Sequence, residues 1–489
     1  MKTVVVNVRL LTAIAAAFAV VGATAEPADN PAVSGNALAI INASLIDGTG
    51  APPRRTSINV RDGVIVSIGG PPQPDARLLD AQGMAVLPGL IDSHVHFQAV
   101  PGAVHRQDNA DARRALMHRH LRAHVANGVT TVLDAAIASE ALREIRAYLA
   151  AGGVGPRVMA LGPTFHNPGG YMDGAALSEY WAPRWRASAT PDDVDALYRE
   201  YGGIEDLVGV KVAATHGHGS PIDIYDTHSP QMLAVIRQRA ADHGRPIYVH
   251  VDDHRGVNIA FGLSAHALTH LVGDRPSGAL LDRMRRANMH VIPTLYIYES
   301  FTMRYRPDLL DAPMVRLTVP AVERETARDP MVWDLYFKRF ILLVAPDMPE
   351  WLAGWWGDMY LTEGRMQSLV RNLQENLMLH HEAGVPIAMG TDSGGWPHMP
   401  NMFHGPTALR EMELMAEAGM TPAEVLRAAT VTPARMMGIE DLVGTVEVGK
   451  RADLIVVRGD PLKSISALRE LEWVIKDGEP RRPAQWMAQ

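Results

Sequence analysis

Val86-Leu87-Pro88-Gly89-Leu90-Ile91-Asp92-Ser93-His94-Val95-His96-Phe97 is an apolar run that ends in two histidines one residue apart. Alternate side chains of a strand share a face and rise ~3.3 Å per residue, so His94 and His96 point the same way about 7 Å apart and can converge on one metal ion. A strand buried on both faces is otherwise continuously hydrophobic and a poor place for histidine. Two hydrogen-bonded core histidines would read the same way, and the motif alone does not separate the two readings.

Downstream the pattern alternates strand with helix, as parallel strands with helical crossovers do. Strands are expected at 86–95, 129–135, 157–164, 206–214, 246–251, 267–272, 290–296 and 386–392. Eight such units predict an α/β fold, a (β/α)8 TIM-type barrel over 86–443. Helix signals agree: Ser229-Pro230 offers an N-cap and first-turn proline, and Thr421-Pro422-Ala423-Glu424 a capping box. Residues 297–385 separate the last two strands by more than a crossover needs and are rich in Trp, Tyr and Met. They predict a lid, an oligomer contact or an aromatic core belonging to the insertion itself. Short strand-like runs with an Asp62-Gly63 hairpin signal precede the barrel, and two strands around a turn within 444–457, then Trp473-Val474-Ile475, follow it. Residues 38–85 and 444–485 are therefore expected to form one discontinuous β-sandwich domain from both chain ends.

The chain has 489 residues, 47% hydrophobic and 20% charged, enough for a barrel with an accessory domain. Its net charge of -8 includes no basic tract, which excludes a nucleic-acid footprint and leaves a small molecule as the expected partner. Lys2 and Arg9, the apolar run Leu10 to Val21 and Ala23-Thr24-Ala25 read as a signal peptide over 1–25. The run is short of the ~20 residues that span a bilayer. Export to the periplasm or medium, without stable membrane insertion, is the expectation, as is a homo-oligomer. There is no cysteine, so any metal must be held by His, Asp, Glu or a modified Lys.

Chemistry in such a barrel belongs at the C-terminal ends of its strands. There the sequence places Lys211 within Val208-Gly209-Val210-Lys211-Val212-Ala213, His250 after Tyr248-Val249, His270, and Asp392 after Gly390-Thr391. A lysine inside a strand must find a partner or lose its charge. Taken singly these are core or capping residues, and Lys211 a buried ion pair. Together they are four histidines, one lysine and one aspartate on five strands at one rim. Such donors suit zinc, with Mn, Co, Ni and Fe also compatible. Elsewhere, His118, His120 and His124 lie among arginines and read as a solvated helix face. His380 and His381 end a helix, where a cation favours the dipole.

The stretches VLPGLIDSHVHF (86–97), GVTTVLD (128–134), VKV (210–212), His250 with His270, GTDSG (390–394), TPAEVLRAATVTPARMMG (421–438) and GTVEVGKRADLIVV (444–457) are spread along nearly the whole mature chain. In them the chain resembles the amidohydrolase superfamily, in its imidazolonepropionase-like and Xaa-Pro-type dipeptidase group. That resemblance implies a two-metal site: His94, His96 and Asp392 on the first ion, His250 and His270 on the second, and Lys211, carbamylated by carbon dioxide, bridging them. It implies a bridging hydroxide as nucleophile, the second metal polarising the scissile carbonyl, and Asp392 as the catalytic proton carrier.

Loops that face substrate in the family depart from its pattern. Asp252 stands where relatives often have histidine, and His166-Asn167-Pro168-Gly169-Gly170-Tyr171 where they have a His-Gly ending; Thr215-His216-Gly217-His218-Gly219 is also unusual. His216 and His218 read as solvated loop histidines or extra pocket donors, and Tyr296 as a substrate hydrogen-bond partner or packing. The reading is an exported binuclear metal-dependent amidohydrolase that cleaves a C–N amide bond of dipeptide or N-acyl amino acid type. A lactone or ester hydrolase is the nearest alternative, Lys211 disfavours a mononuclear deaminase, and a periplasmic metal or small-molecule binding protein is the alternative outside enzymes.

Overall fold

The computed structural model describes residues 37–171, 185–201, 207–217 and 224–488. The expected signal peptide and His218 lie outside them.

Buried parallel strands position the site. Leu90–Val95 pairs with Val129–Asp134, and that strand with Arg157–Ala160. A second parallel set runs, side by side, Trp185–Ala187, Thr164–His166, Val210–Ala213, Ile247–His250, Ala267–Thr269 and His290–Ile292. Bridges Ala160–Leu207, Val291–Ile387 and Val95–Ser393 join the two sets and the segment that carries Asp392. Helices alternate with these strands: Pro230–Asp242 is capped by Ser229 Oγ accepting from Met232 N at 3.2 Å, and Pro422–Ala428 by the Thr421–Glu424 capping box. This α/β order with parallel strands fits a TIM-type barrel.

Several strand boundaries differ from expectation: 157–164 is a strand only over Arg157–Ala160, with Thr164–His166 in the other parallel set, and 386–392 holds only the bridge of Ile387 to Val291. The run 86–95 is two strands, since Ala85–Pro88 pairs antiparallel with Leu454–Val457 while Leu90–Val95 opens the parallel set. The break falls at Gly89, where a Cβ would lie 2.1 Å from Thr130 Oγ1, directly after a proline without an N–H. The seventh strand stops at Ile292 because Thr294 takes a left-handed φ of 50° and starts the helix Leu295–Ser300. Within 444–457 only Leu454–Val457 is a strand.

The chain ends meet in one eight-stranded sheet, ordered Glu479–Arg481, Leu471–Lys476, Leu454–Val457, Ala85–Pro88, Ala37–Leu45, Arg54–Arg61, Val64–Ile68, with Arg77–Asp80 beside Ala37–Leu45. Asp62 and Gly63, both at positive φ, make the tight turn between Arg54–Arg61 and Val64–Ile68.

The insertion is helical: Pro313–Thr318, Ala321–Arg328, Pro330–Val344, Glu350–Tyr360 and Glu363–Glu382. Its aromatics divide. Trp333, Tyr336 and Phe337 pack with each other and with Phe301, whereas Trp351 and Trp355 are 76% and 58% exposed.

The insertion also overturns the solvated reading of the helix Ala110–Ala126. His120 and His124 are buried, with His120 Nε2 2.6 Å from Glu323 Oε1 and His124 Nε2 3.2 Å from His404 Nδ1. His118 stacks on Tyr148 at 3.9 Å between ring centroids. His380 is likewise buried and bonds Asn376 O, and burial lowers its pKa, so it is not the exposed helix-end cation expected.

Two predictions follow from this packing. Burial, then the neighbouring His120, holds the His124 imidazole down at about 3, so the unfolded chain takes up this proton first and stability falls as pH drops from 6.5 towards 4. Calorimetric melting in that window should show a falling melting temperature, with a shallower slope in His124→Gln. Gly89→Ala should destabilise by about 1–3 kcal/mol through the clash with Thr130, read as a lower melting temperature at pH 7.

Candidate metal centre

Each candidate ligand reaches the site for a local reason. Leu90–Val95 is buried throughout, and His94 and His96, two residues apart, fall on the same side. In Val210–Ala213, Lys211 lies opposite the face of Val210 and Val212, and the parallel register sets Ala213 beside His250 and His250 beside Thr269, next to His270. Asp392 and His270 have φ of 60° and 79°. Non-glycine residues seldom adopt this region, and such outliers, at about 1–3 kcal/mol each, collect at functional sites.

The side chains converge. His94 Nε2 lies 3.2 Å from His96 Nε2 and 3.2 Å from Asp392 Oδ1, and His96 Nε2 lies 2.9 Å from that same oxygen. These three residues offer ligand atoms within 4.8 Å of one another, a set that could hold one metal ion. Lys211 Nζ is 3.3 Å from His94 Nε2. Beyond it, His270 Nε2 is 3.0 Å from His250 Nδ1, and the His94 and His270 ring centroids are 5.1 Å apart. All six residues named from the sequence thus meet at one place.

Their protonation suits ligation. Burial, reinforced by Lys211, lowers the His94 pKa to about 3, leaving the ring neutral with a lone pair. Burial pushes the Asp392 carboxyl up, but hydrogen bonds from His94 and His96 outweigh it and hold the group well below the carboxylate range. A neutral imidazole beside an ionised carboxylate is the state a divalent cation requires.

A supporting shell went unnoticed in the sequence. Asp92 accepts hydrogen bonds from the backbone N–H of His94 and Thr391, each at 3.1 Å, and from Thr391 Oγ1 at 2.7 Å. Thr294 Oγ1 bonds His270 Nδ1 at 2.8 Å, turning the other ring nitrogen into the site. Asp134 accepts from Phe97 N at 2.9 Å and lies 3.8 Å from His96 Nδ1, and Tyr171 stacks on His250 at 4.8 Å. Asp92 and Asp134 carried a signal, as acids in apolar strands; Thr294 and Tyr171 carried none.

Above the cluster lies a cavity of about 330 Å³ whose floor includes His96, Lys211, His250, His270 and Asp392. Much of its wall is apolar and comes from 297–385, including Phe301, Tyr336, Phe340 and Leu343; Asp252 and Trp396 also line it. Two other candidates lie elsewhere. Tyr296 is buried and its hydroxyl donates to Asn401 O at 3.3 Å, so it serves packing. His216 is outside the lining, with Nδ1 3.6 Å from Asp253 Oδ2.

The profile of the amidohydrolase family matches residues 85–481. Ochratoxinase of Aspergillus niger is 24% identical over 461 residues, 87% of this chain and 82% of that protein. A solved Xaa-Pro dipeptidase with bound methionine in its active site shares the fold with a TM-score of 0.67 at 23% identity, over 91% of this chain and 99% of that one. Phenylurea hydrolase B does so with a TM-score of 0.68 at 21% identity, over 93% and 98%. The matched span holds all six converging residues and most of the chain: this protein belongs to the amidohydrolase family and is a hydrolase of carbon–nitrogen bonds.

Proposed function

We propose that the protein is an exported, binuclear metal-dependent amidohydrolase that cleaves the amide bond of a dipeptide or N-acyl amino acid. The observation that carries this reading is the approach of His94, His96 and Asp392 to about 3 Å beside Lys211 and the His250–His270 pair, with His96, Lys211, His250, His270 and Asp392 lining the cavity. His94, His96 and Asp392 would hold one divalent ion, His250 and His270 a second, and Lys211 as a carbamate would bridge them; zinc suits these donors. When bound, such ions supply a Lewis acid for the scissile carbonyl and water activated at neutral pH.

The chain's own residues do the rest. An ionised Asp392 takes the proton of the attacking water and passes it to the leaving nitrogen. Gly395 leaves Asp392 room to do so, since a Cβ there would lie 2.3 Å from Asp392 Oδ2. The apolar walls exclude bulk water and receive the substrate's side groups. The parallel bridges that join both strand sets support a closed (β/α)8 barrel over 86–443, and the sheet shared by both chain ends supports an accessory domain of 38–85 and 444–485. Export rests on the charged, apolar and small-residue pattern of 1–25.

Protein purified with bicarbonate should carry about two metal ions per chain by mass spectrometry, falling in Lys211→Ala. One ion per chain, indifferent to that change, would overturn the bridged site. Asp392→Asn should keep its fold by circular dichroism while metal-dependent amide hydrolysis falls roughly 10²-fold or more.

A further inference from the structure

Tyr336 and Trp396 stand together against Asp392 without a task in the chemistry above. Tyr336 comes from the insertion helix Pro330–Val344, and Trp396 from the loop four residues past Asp392. Their ring centroids are 5.6 Å apart, edge to face, and both line the cavity. Tyr336 is only 1% exposed, yet its hydroxyl has no hydrogen-bond partner among the described residues, and neither has the buried indole Nε1 of Trp396. Buried polar groups are normally paired, and an orphan is unfavourable. Indole N–H can only donate, and a phenol donates readily. Two unused donors inside an aromatic wall are therefore a place for a substrate oxygen.

Their position tells which half of the substrate brings it. On that reading Asp392 delivers the proton to the leaving nitrogen; Gly395, where a Cβ would lie 2.3 Å from Asp392 Oδ2, and Trp396 come three and four residues after it, so this wall faces the amine half of a bound amide. We infer that Tyr336 and Trp396 are specificity-determining residues that receive an aromatic or bulky apolar amine half bearing an oxygen acceptor, a carbonyl or carboxylate, next to the scissile nitrogen. This inference rests on the amide-hydrolysis reading and deepens it. Phe301 and Phe340 complete the apolar surround, so the acceptor meets its donors in a setting where water competes little. A site built to pair a polar group rejects the analogue that lacks it far more strongly than one built on contact area alone.

The test compares three amides on the metal-loaded full-length protein: N-acetyl-L-phenylalaninamide, N-acetyl-L-phenylalanine, and N-acetyl-2-phenylethylamine, which lacks the acceptor. The wild type should show kcat/KM at least about tenfold higher for one or both acceptor-bearing amides, and which one leads identifies a neutral or an anionic acceptor. Y336F should lower kcat/KM for the acceptor-bearing amides at least about fivefold more than for N-acetyl-2-phenylethylamine, and W396F, the second variant, should act the same way with unchanged metal content. Equal rates on all three amides in the wild type, or variants that slow all three alike, would overturn the inference while leaving amide hydrolysis in place. If no amide is turned over, the amide reading itself fails. The donors are then judged by calorimetric binding of L-phenylalaninamide against 2-phenylethylamine: a roughly tenfold preference lost in Y336F supports them, and equal affinity overturns them.

Discussion

The structure depends on forcing ionisable groups to within about 3 Å of one another where little water reaches. Such proximity is unfavourable unless protonation states are fixed in advance, because charges at this range interact strongly in a low-dielectric interior. The strand ends do the fixing. Asp92 ties Leu90–Val95 to Thr391 through two hydrogen bonds and accepts a third from His94 N, so His94 and Asp392 cannot drift apart independently. On the opposite side Thr294 orients His270, and Thr294 is itself held in the left-handed region. Glu411 secures the turn that follows by accepting from the N–H groups of Leu295 and Tyr296, and burial lifts its carboxyl to about 8. Three unfavourable backbone conformations, at His270, Thr294 and Asp392, persist because the surrounding bonds over-determine them.

The insertion couples this rigid floor to everything a substrate would meet. One part supplies Tyr336 and Phe340 to the cavity; another brings Glu323 onto His120 and so seals the helix Ala110–Ala126. Phe97, directly after His96, stacks on His404 at 5.2 Å, and His404 reaches His124. The wall of the cavity and the packing behind the ligand strand therefore share elements, so a change in the insertion acts on both.

What the sequence made legible follows from which constraints are local. The six converging residues could be named because each interrupts a hydrophobic strand, where a polar side chain needs a reason, and alternation gives its face. The parallel strands were legible for the same cause, although Pro88-Gly89 splits the first of them between two sheets. Misreadings arose where a distant segment decides the environment. His120 and His124 are surrounded by arginines in the chain, yet Glu323 and His404, roughly two to three hundred residues away, cover them. The strand expected to end at Tyr296 stops earlier because of Thr294, and of the two readings of Tyr296 the structure supports packing. Tyr336 and Trp396 could not have been paired at all, since an unused donor becomes visible only when everything around it has been placed.

Lys211 carries the last step. Lys211 Nζ lies 3.3 Å from His94 Nε2, and its positive field is one of the causes that lower the His94 pKa. As an ammonium it has donors only and repels any cation brought to that nitrogen. Carbamylation would convert the same position into an anion with two oxygen acceptors, so the field that now opposes a metal at His94 would favour one. The small residues Gly209 and Ala213 share the strand face of Lys211, and a Cβ on Gly209 would lie 2.7 Å from the Tyr248 ring, so Gly209 makes room for that ring. On the two-metal reading proposed above, the bridging anion belongs at that place.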